Sequence, residues 1–324
     1  MEPKNVIQAW GQILKGRRPM LSIEVTRECP LRCPGCYAYE DVHLSSGVNL
    51  RQLSDFKGDV LVEKVLQLVE ELQPLHLSIV GGDPLVRYRE MEILLPQLLK
   101  KMPVQLVTSA FRQIPPSWSR LPGLCLVVSI DGLQPEHDVR RKPATYERIL
   151  QSIAGQWVTV HCTITSQMLA RPTYLQEFLE FWAPRETTKR VWFSIFTPQK
   201  GANDPEILSP AQRQFAISEM LRLRKLYPKL EMSELTISQF AKPPHSPDDC
   251  VFARTTETIS ADLKTRIGPC QFGGNPDCEQ CGCIASMGFA GLGQMKVAGL
   301  PLGGIFRLSH AIGKKVASRR AAVA

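Results

Sequence analysis

The chain has 324 residues, a hydrophobic fraction of 44% and a formal net charge of +8. That length exceeds one average domain and suits one α/β barrel with an extension. The sequence shows no secretory signal, no run of about 20 apolar residues that would cross a membrane, and no alternation of basic and aromatic residues typical of nucleic-acid binders. It therefore predicts a cytoplasmic protein that binds no nucleic acid.

Six β-prone segments alternate with helical ones along the first two thirds of the chain. The predicted strands cover residues 21–26, 75–80, 104–109, 124–130, 157–164 and 191–196. The predicted helices cover residues 6–14, 58–72, 90–101, 146–153, 174–182 and 210–227. Such alternation is typical of a parallel sheet with right-handed crossovers. A closed eight-strand barrel needs about 250 residues, so we predict an α/β fold: a partial, six-unit TIM-like barrel with a small cysteine-rich C-terminal extension.

Changes in composition divide the chain into four parts. Residues 1–20 are a helical lead-in, 21–228 the barrel, 229–290 the cysteine-rich extension and 291–324 a Gly-rich, basic tail. Apolar residues of the tail recur at helical spacing beside basic ones, which favours either a docked helix or weak contact with an anionic membrane surface. These apolar residues are Ile305, Leu308, Ile312 and Val316.

Three cysteines follow the first predicted strand in the loop Cys29-Pro-Leu-Arg-Cys33-Pro-Gly-Cys36-Tyr37. This spacing lets three thiolates converge on one iron–sulfur cluster or one zinc ion. A structural zinc site takes four side chains, and no fourth ligand lies nearby in the sequence. A [4Fe–4S] cluster held by three thiolates would instead leave one iron open to a substrate or cofactor.

Other candidate site residues fall where later strands end, at one edge of the predicted sheet. They are Gly81, Gly82, Asp83 and Pro84 after the second strand, Ser109 after the third, and Ser129 and Asp131 at the fourth. Two glycines let the backbone approach a ligand closely, and Asp83 offers an acceptor to an ammonium group. Plain turns are the alternative interpretation of both the Gly81–Pro84 and Asp131 segments.

Several further polar and thiol side chains have less specific settings. His137, Asp138 and Arg140 are predicted in a loop that either positions substrate and seals a pocket or simply lies on the surface. We assign His161 no role, because a single strand histidine is usually structural. Cys125 and Cys162 lie within apolar strands and are predicted to be inert core residues.

The Cys29–Cys36 motif resembles the Cys-x3-Cys-x2-Cys signature of the radical S-adenosylmethionine (radical SAM) superfamily. The resemblance implies that Cys29, Cys33 and Cys36 bind a [4Fe–4S] cluster whose open iron takes the methionine moiety of S-adenosylmethionine. It also implies that a reductant such as flavodoxin or ferredoxin drives cleavage to a 5′-deoxyadenosyl radical. Many members carry an aromatic residue just before the third cysteine; here that position is Gly35, and the aromatic Tyr37 follows instead.

Two more segments carry this resemblance, which covers about residues 20–200. Gly81–Pro84 resembles the Gly-Gly-Glu-Pro motif that holds the methionine amino group, with Asp83 in place of Glu. Val128–Gly132 resembles the fourth-strand motif of the branch that includes molybdenum-cofactor and peptide-modifying enzymes. That likeness implies that Ser129 and Asp131 lie near the cofactor or the substrate.

Five of the ten cysteines lie between residues 250 and 283. Cys278, Cys281 and Cys283 form the core of this group, and Cys250 and Cys270 complete a thiolate site. The pattern resembles the shortened cluster domains that follow radical SAM barrels, which implies an auxiliary [4Fe–4S] cluster. Five thiols allow a four-ligand cluster with one spare thiol or a site with an open iron, and zinc remains an alternative. Residues 259–270 are predicted to form a β-hairpin that carries ligands there.

These motifs lead to the hypothesis of a radical SAM enzyme with an unidentified substrate. The apolar, basic tail favours slightly a lipid-linked, isoprenoid or other small molecule. The alternatives are a peptide-modifying maturase, a zinc-binding scaffold without catalysis, and a two-cluster electron-transfer protein.

Overall fold

The computed structural model describes residues 3–44, 48–297 and 299–321, and its centre is a single parallel sheet. The sheet has seven strands in the order β6-β5-β4-β3-β2-β1-β7, and each neighbouring pair is parallel. The strands are Met20–Glu24 (β1), His76–Val80 (β2), Val104–Thr108 (β3), Leu124–Ser129 (β4), Val158–Ile164 (β5), Thr188–Ile195 (β6) and Thr256–Ile259 (β7). The six barrel strands lie in chain order, which confirms the predicted partial TIM-like barrel.

Helices connect and cover these strands. They are Pro3–Leu14 (α1), Gly58–Leu72 (α2), Tyr88–Leu99 (α3), Gln134–Arg140 (α4), Tyr146–Ser152 (α5), Tyr174–Trp182 (α6), Pro210–Leu226 (α7), Glu234–Gln239 (α8), Val251–Thr255 (α9), Ile284–Gln294 (α10) and Leu302–Ala321 (α11). Lys296–Val297 and Leu300–Pro301 form a small antiparallel pair. The barrel helices agree with the predicted ones within three residues because their apolar faces repeat with the period of a helix.

Alternation along the strands separates the core from the barrel interior. On β2, Leu77 and Ile79 are fully buried, whereas Ser78 and Val80 face a cavity inside the barrel. Successive strand side chains point to opposite faces, so one face packs under the helices and the other lines the cavity. On the covering side, α2 buries Leu61, Val65 and Val69, and α6 buries Phe178 and Trp182.

The cysteine-rich extension adds a strand to the barrel sheet. β7 pairs with β1 in parallel, from Met20 beside Thr256 to Ile23 beside Ile259. The predicted hairpin follows directly: the Ser260 N–H donates to the Thr265 carbonyl at 2.8 Å, and the Ile267 N–H donates to the Thr258 carbonyl at 2.9 Å. The extension is therefore joined to the edge of the sheet that carries the first cysteine loop.

The C-terminal helix α11 docks against α1. A Cβ on Gly313 would lie 1.9 Å from the Ile13 carbonyl oxygen, so glycine allows the two helix backbones to touch. The Trp10 and Phe306 rings, 6.0 Å apart, pack along the same contact. Leu308 and Ile312 stay 65% and 44% exposed. No helix among the described residues has the length and apolar character needed to cross a bilayer.

Candidate active site

The barrel holds a cavity of about 670 Å³. Its strand-borne lining comes from inward-facing positions on β2 to β6: Ser78, Val80, Gln105, Val107, Val127, Ser129, His161, Thr163, Trp192 and Ser194. The Cys29–Cys36 loop, the residues after β6 and the segment around Phe272 and Ile284 complete the wall. A concave, partly polar cavity inside a barrel is the usual place for a small-molecule site.

The predicted cluster loop leaves β1 and runs along this cavity. Cys33, Cys36 and Tyr37 line the cavity, while Cys29 faces an open pocket on the other side of the loop. Burial raises the pKa of the Cys29 thiol to about 12 and that of Cys36 to about 11, and it also raises the pKa of Cys33. Such thiols are protonated at neutral pH, so binding a metal must supply the energy to deprotonate them.

Positions 81 and 82 must be glycine because a neighbouring segment of the chain packs directly against them. Both have positive φ, at 79° and 51°. A Cβ on Gly81 would lie 2.1 Å from the Cβ of Glu24, and one on Gly82 would lie 2.2 Å from the Glu28 carbonyl oxygen. The glycines therefore let their loop pack directly on the segment that leads into Cys29. Contact between this loop and a cofactor stays a prediction.

Asp83 differs from its expected use as a direct acceptor for an ammonium group. Its side chain is 2% exposed. One oxygen accepts from the Leu85 N–H at 3.0 Å and the Thr108 hydroxyl at 2.7 Å, and the other accepts from the Ser109 N–H at 2.8 Å and the Ser109 hydroxyl at 2.5 Å. Four bonds occupy its acceptor capacity, so Asp83 positions its loop against the end of β3. Ser109 is the partner of Asp83, and Pro84 is buried at the start of the turn that follows.

Asp131 lies in a buried charge network on the cavity wall. The Nε atoms of Arg141 and Arg140 lie 2.7 Å and 2.9 Å from the same Asp131 oxygen. Burial opposes ionisation of Asp131, but the two guanidinium groups outweigh it and lower its pKa to about 2. The carboxylate therefore stays charged at neutral pH and orients two arginines, both of which line the cavity.

Arg140 connects this network to the cluster loop. Its guanidinium donates to the Pro34 carbonyl oxygen at 2.7 Å and to Glu206 at 3.0 Å. Gly35 lies against the same pair with a positive φ of 66°. Arg140 thus holds the Cys33–Cys36 turn in place by direct contact with its backbone.

The segment predicted as a loop after β4 is the helix α4, and two of its residues are structural. Nδ1 of His137 accepts from the Asp131 N–H at 2.9 Å, and its Nε2 donates to the Ala144 carbonyl oxygen at 2.7 Å. Asp138 accepts from the Tyr146 N–H at 2.8 Å, at the start of α5. The loop prediction was wrong because a seven-residue helix with one apolar position is too short for a periodic signal.

The cavity also contains polar residues to which the sequence assigned no role. Nε2 of His161 lies 2.8 Å from the Ser194 hydroxyl, which also accepts from the Ile284 N–H at 3.2 Å. Burial lowers the pKa of His161 to about 4, so the ring is neutral at pH 7. The available signal was the alternation of β5, which turns His161 and Thr163 away from the buried Val160 and Cys162.

A buried ion pair ties the cluster loop to the extension. Glu24 on β1 accepts from Nε2 of His43 at 2.9 Å and from the Ser260 hydroxyl at 2.6 Å. Nδ1 of His43 lies 3.0 Å from the Phe272 carbonyl oxygen, so both ring nitrogens face acceptors. Burial opposes the charged ring, but Glu24 outweighs it and raises the pKa of His43. The Tyr37 ring packs against His43 and edge-on against Phe272.

All five C-terminal cysteines meet at one small cavity of about 20 Å³, lined by Cys250, Cys270, Cys278, Cys281 and Cys283. Cys250 begins α9, Cys283 precedes α10, and Cys278 and Cys281 share a tight turn in which the Cys281 N–H donates to the Cys278 carbonyl at 3.1 Å. Four of the five are at least nine-tenths buried. Cys125 and Cys162 lie away from both groups, on β4 and β5.

The spacing of the thiols bears on which metal group they suit. Within residues 3–44, 48–297 and 299–321, no three His, Cys, Asp or Glu side chains are arranged to ligate one metal ion. A tetrahedral zinc site, with Zn–S bonds of about 2.3 Å, draws its thiolates within about 4 Å of each other. A polynuclear iron–sulfur cluster keeps its thiolates farther apart, and the donor set of both groups, which consists of thiols, fits an iron–sulfur cluster as well as a zinc ion.

Comparison with known proteins finds a family match within the barrel. Residues 23–155 match the model of the Radical SAM superfamily. No curated protein matches the chain. SuiB from Streptococcus suis bound to S-adenosylmethionine is 16% identical over 80% of this chain, with a TM-score of 0.51, and the chain spans 62% of its length. The protein anSMEcpe with bound AdoMet and the Cp18Cys peptide is 13% identical over 93% of this chain and 98% of its own, with a TM-score of 0.55.

At these identities the likeness to the solved structures is one of fold. The match of the family model is the independent observation, and it spans the cysteine loop, the Gly81–Pro84 loop and Asp131. Residues 23–155 therefore match a radical SAM superfamily domain, and members of that superfamily use a [4Fe–4S] cluster and S-adenosylmethionine.

Proposed function

We propose that the thiolates of Cys29, Cys33 and Cys36 hold the catalytic [4Fe–4S] cluster and that the 670 Å³ cavity receives S-adenosylmethionine and a substrate. When bound, the cluster and cofactor supply a 5′-deoxyadenosyl radical for hydrogen abstraction or addition. The observation that carries the proposal is that Cys33, Cys36, Ser129 and Asp131 line the same cavity. This chemistry is the one expected of a radical SAM superfamily domain.

The chain's own residues have distinct tasks in this proposal. Gly81, Gly82 and Pro84 shape a loop whose backbone carbonyls receive the cofactor's ammonium group, and Asp83 and Ser109 fix that loop. Arg140 and Arg141 are oriented by Asp131 at the cavity wall. Guanidinium groups suit a carboxylate, such as that of the methionine moiety or of the substrate. Tyr37 faces the cavity beside Cys36 as the candidate adenine contact.

Enclosure of the cavity protects a reactive intermediate. The residues after β6, including Phe196, Thr197 and Gln199, close one side, and Phe272 and Ile284 from the extension close another. Exclusion of water and of competing reactants is what radical chemistry needs from its protein. The extension thus forms part of the reaction chamber.

The cavity lining favours a substrate that carries hydrogen-bonding groups. Ser78, Gln105 and Thr163 present polar atoms along its interior strands. A long apolar chain would leave these groups without partners, which costs about 1–3 kcal/mol for each buried group. The lean towards a lipid or isoprenoid substrate has no support from the comparisons, and a polar small molecule or a peptide side chain suits the lining better.

Peptide modification is the second candidate function. SuiB bound to its precursor peptide SuiA shares this fold over 94% of the present chain, with 16% identity and a TM-score of 0.53. The anSMEcpe complex also contains a peptide. A peptide-modifying role predicts that a substrate side chain enters the cavity while its backbone stays outside.

The C-terminal group of five cysteines is proposed to hold an auxiliary iron–sulfur cluster, with zinc as the alternative. A flavodoxin or ferredoxin is the proposed reductant. Weak contact of the tail with an anionic membrane is a separate proposal, supported by exposed Leu308 and Ile312 beside basic residues on α11. It predicts flotation with anionic liposomes that is lost when residues 305–324 are deleted.

One experiment tests the enzymatic proposal and its rivals. The protein is reconstituted anaerobically with iron and sulfide, reduced with dithionite and assayed for 5′-deoxyadenosine from S-adenosylmethionine. We expect product and a broad absorbance band near about 400 nm from thiolate–iron charge transfer. A zinc scaffold would be colourless, and an electron-transfer protein would bind iron and sulfide without cleaving the cofactor.

A further inference from the structure

The five C-terminal thiols are not equivalent in their surroundings. All five line the small C-terminal cavity, but only Cys283 among them also lines the large reaction cavity. Cys283 therefore stands in the partition between the two spaces. A four-iron cluster has one iron for each of four thiolates, so one of the five thiols has no iron to bind.

The backbone around Cys283 is held against the barrel. A Cβ on Gly282 would lie 1.9 Å from the Ile195 carbonyl oxygen. The Gly282 carbonyl accepts from the Ile195 N–H at 2.9 Å, and the Gly282 N–H donates to the Thr197 hydroxyl at 2.8 Å. Gly282, whose backbone is held against β6, is the single residue between Cys281 and Cys283. The segment therefore has little freedom to bring both sulfurs to adjacent irons of one cluster.

Side-chain hydrogen bonds distinguish Cys283 from Cys250. The sulfur of Cys250 lies 3.2 Å from the hydroxyl of Ser286, which lines the smaller cavity. The sulfur of Cys283 accepts from Nε2 of Gln271 at 3.4 Å, and Gln271 lines the reaction cavity. Cys283 is thus bonded to a residue of the reaction cavity, and Cys250 to a residue of the smaller cavity.

We propose that Cys250, Cys270, Cys278 and Cys281 are the four ligands of the auxiliary cluster and that Cys283 is a free thiol of the reaction cavity. This inference rests on the proposed auxiliary site. It assigns a saturated cluster to the extension and places a substrate-facing S–H group between the two metal sites. Cys283 would then contact the substrate rather than the metal.

The first test counts iron and sulfide when the C-terminal site is the only cluster site left. The background variant carries Cys29→Ala, Cys33→Ala and Cys36→Ala, and is reconstituted anaerobically. We expect about four iron and four sulfide per chain, retained when Cys283→Ser is added and lost when Cys278→Ser is added. Loss of iron with Cys283→Ser, together with retention when one of the other four is replaced, would overturn the assignment.

The second test uses the unmodified holoprotein and does not depend on which metal it holds. Under anaerobic conditions, N-ethylmaleimide is expected to label Cys283 while the four ligands stay protected, as shown by peptide mapping. After the metal is removed with a chelator, all five thiols should react. Protection of Cys283 until the chelator is added would contradict the proposal. Formation of 5′-deoxyadenosine by wild type reports the catalytic cluster separately, so failure of the two proposals can be distinguished.

Discussion

The two cysteine groups of this protein differ in what surrounds them. Two of the three N-terminal thiols, Cys33 and Cys36, face a cavity of about 670 Å³. The C-terminal thiols surround a space of about 20 Å³. In the proposed assignment, the first group would have room for a cofactor and a substrate beside a metal, and the second would have room for little besides a metal group.

This difference indicates different tasks for two sites built from the same side chain. Three thiolates beside a large cavity would hold a cluster with one iron open to a cosubstrate, whereas four thiolates around a small cavity would saturate a resident cluster. The supports differ as well. Arg140 and Glu206 hold the N-terminal loop through charge, and Gly282 holds the C-terminal segment through direct contact with β6.

The largest expected effect is on catalysis at the N-terminal group. Cys33→Ala should reduce 5′-deoxyadenosine formation to background, because two thiolates cannot hold the catalytic cluster. Cys125→Ala is the matched control, since that thiol lies on β4 and lines neither cavity. Both variants are assayed anaerobically after reconstitution. Equal activity of the two would remove Cys33 from the site.

Removal of a C-terminal ligand should separate the two sites. Cys278→Ala is expected to lower the iron content by about four per chain and to leave cleavage of S-adenosylmethionine in the absence of substrate largely intact. The reason is that Cys278 lines only the smaller cavity. Iron analysis and the 5′-deoxyadenosine assay are made on one preparation. Complete loss of cleavage would show that the sites depend on each other.

The contribution of the Arg140 ion pairs beside the N-terminal loop can be measured as a free energy of unfolding. Arg140→Gln should lower the free energy of unfolding by about 2–3 kcal/mol, since it leaves the buried Glu206 without its partner. Arg222→Gln is the control, because the Arg222 guanidinium lies in solvent and its pair with Glu219 should contribute little to stability. Urea unfolding of both apoproteins at neutral pH gives the comparison, and equal midpoints would argue against a stabilising role for the Arg140 network.

The contact support of the C-terminal segment predicts a contrast between two glycines. Gly282→Ala should destabilise the protein by about 1–3 kcal/mol, because a Cβ would overlap the Ile195 carbonyl oxygen. Gly288→Ala in α10 meets nothing within 4 Å and should stabilise by up to about 1 kcal/mol. Thermal unfolding of the two variants tests the difference in sign.

A smaller effect is the pH dependence of stability that comes from His137, which lies near the N-terminal cysteine group. Burial, followed by the Arg141 charge, lowers the pKa of His137 to about 4. As the pH falls from 6.5 towards 4, His137 binds a proton in the unfolded chain but stays neutral in the folded protein. The free energy of unfolding is therefore highest above pH 6.5 and decreases as the pH falls towards 4. His137→Gln should show a shallower loss of stability over that range. An unchanged pH dependence in urea unfolding would exclude His137 as its source.

The sequence predicts most of the fold, and the remainder has physical reasons. Strands such as Val104–Thr108 and Val158–Ile164 carry strong β-forming residues. β7 was missed because Thr-Glu-Thr-Ile is short and its position depends on the free edge of β1. The cysteine groups were evident from spacing. The hydrogen bonds of Asp83 could not be predicted, because their donors, Thr108 and Ser109, come from the end of another strand.

Placement of Cys283 illustrates the same limit for the site. Its spacing from Cys281 identifies a thiol near a metal, but its position in the partition depends on the packing of Gly282 against Ile195. His161 shows the opposite case, since strand alternation alone turns it inward. The local sequence pattern therefore identifies which reactive side chains are present, and tertiary contacts decide which cavity each of them lines.

The most direct test of an open N-terminal site and a closed C-terminal one is electron paramagnetic resonance of each reduced cluster with and without S-adenosylmethionine. Cys278→Ala isolates the N-terminal cluster, and the Cys29, Cys33 and Cys36 triple alanine variant isolates the other. We predict that the cofactor changes the spectrum of the first and leaves that of the second unchanged. A cofactor-induced change confined to the C-terminal cluster would contradict the assignment.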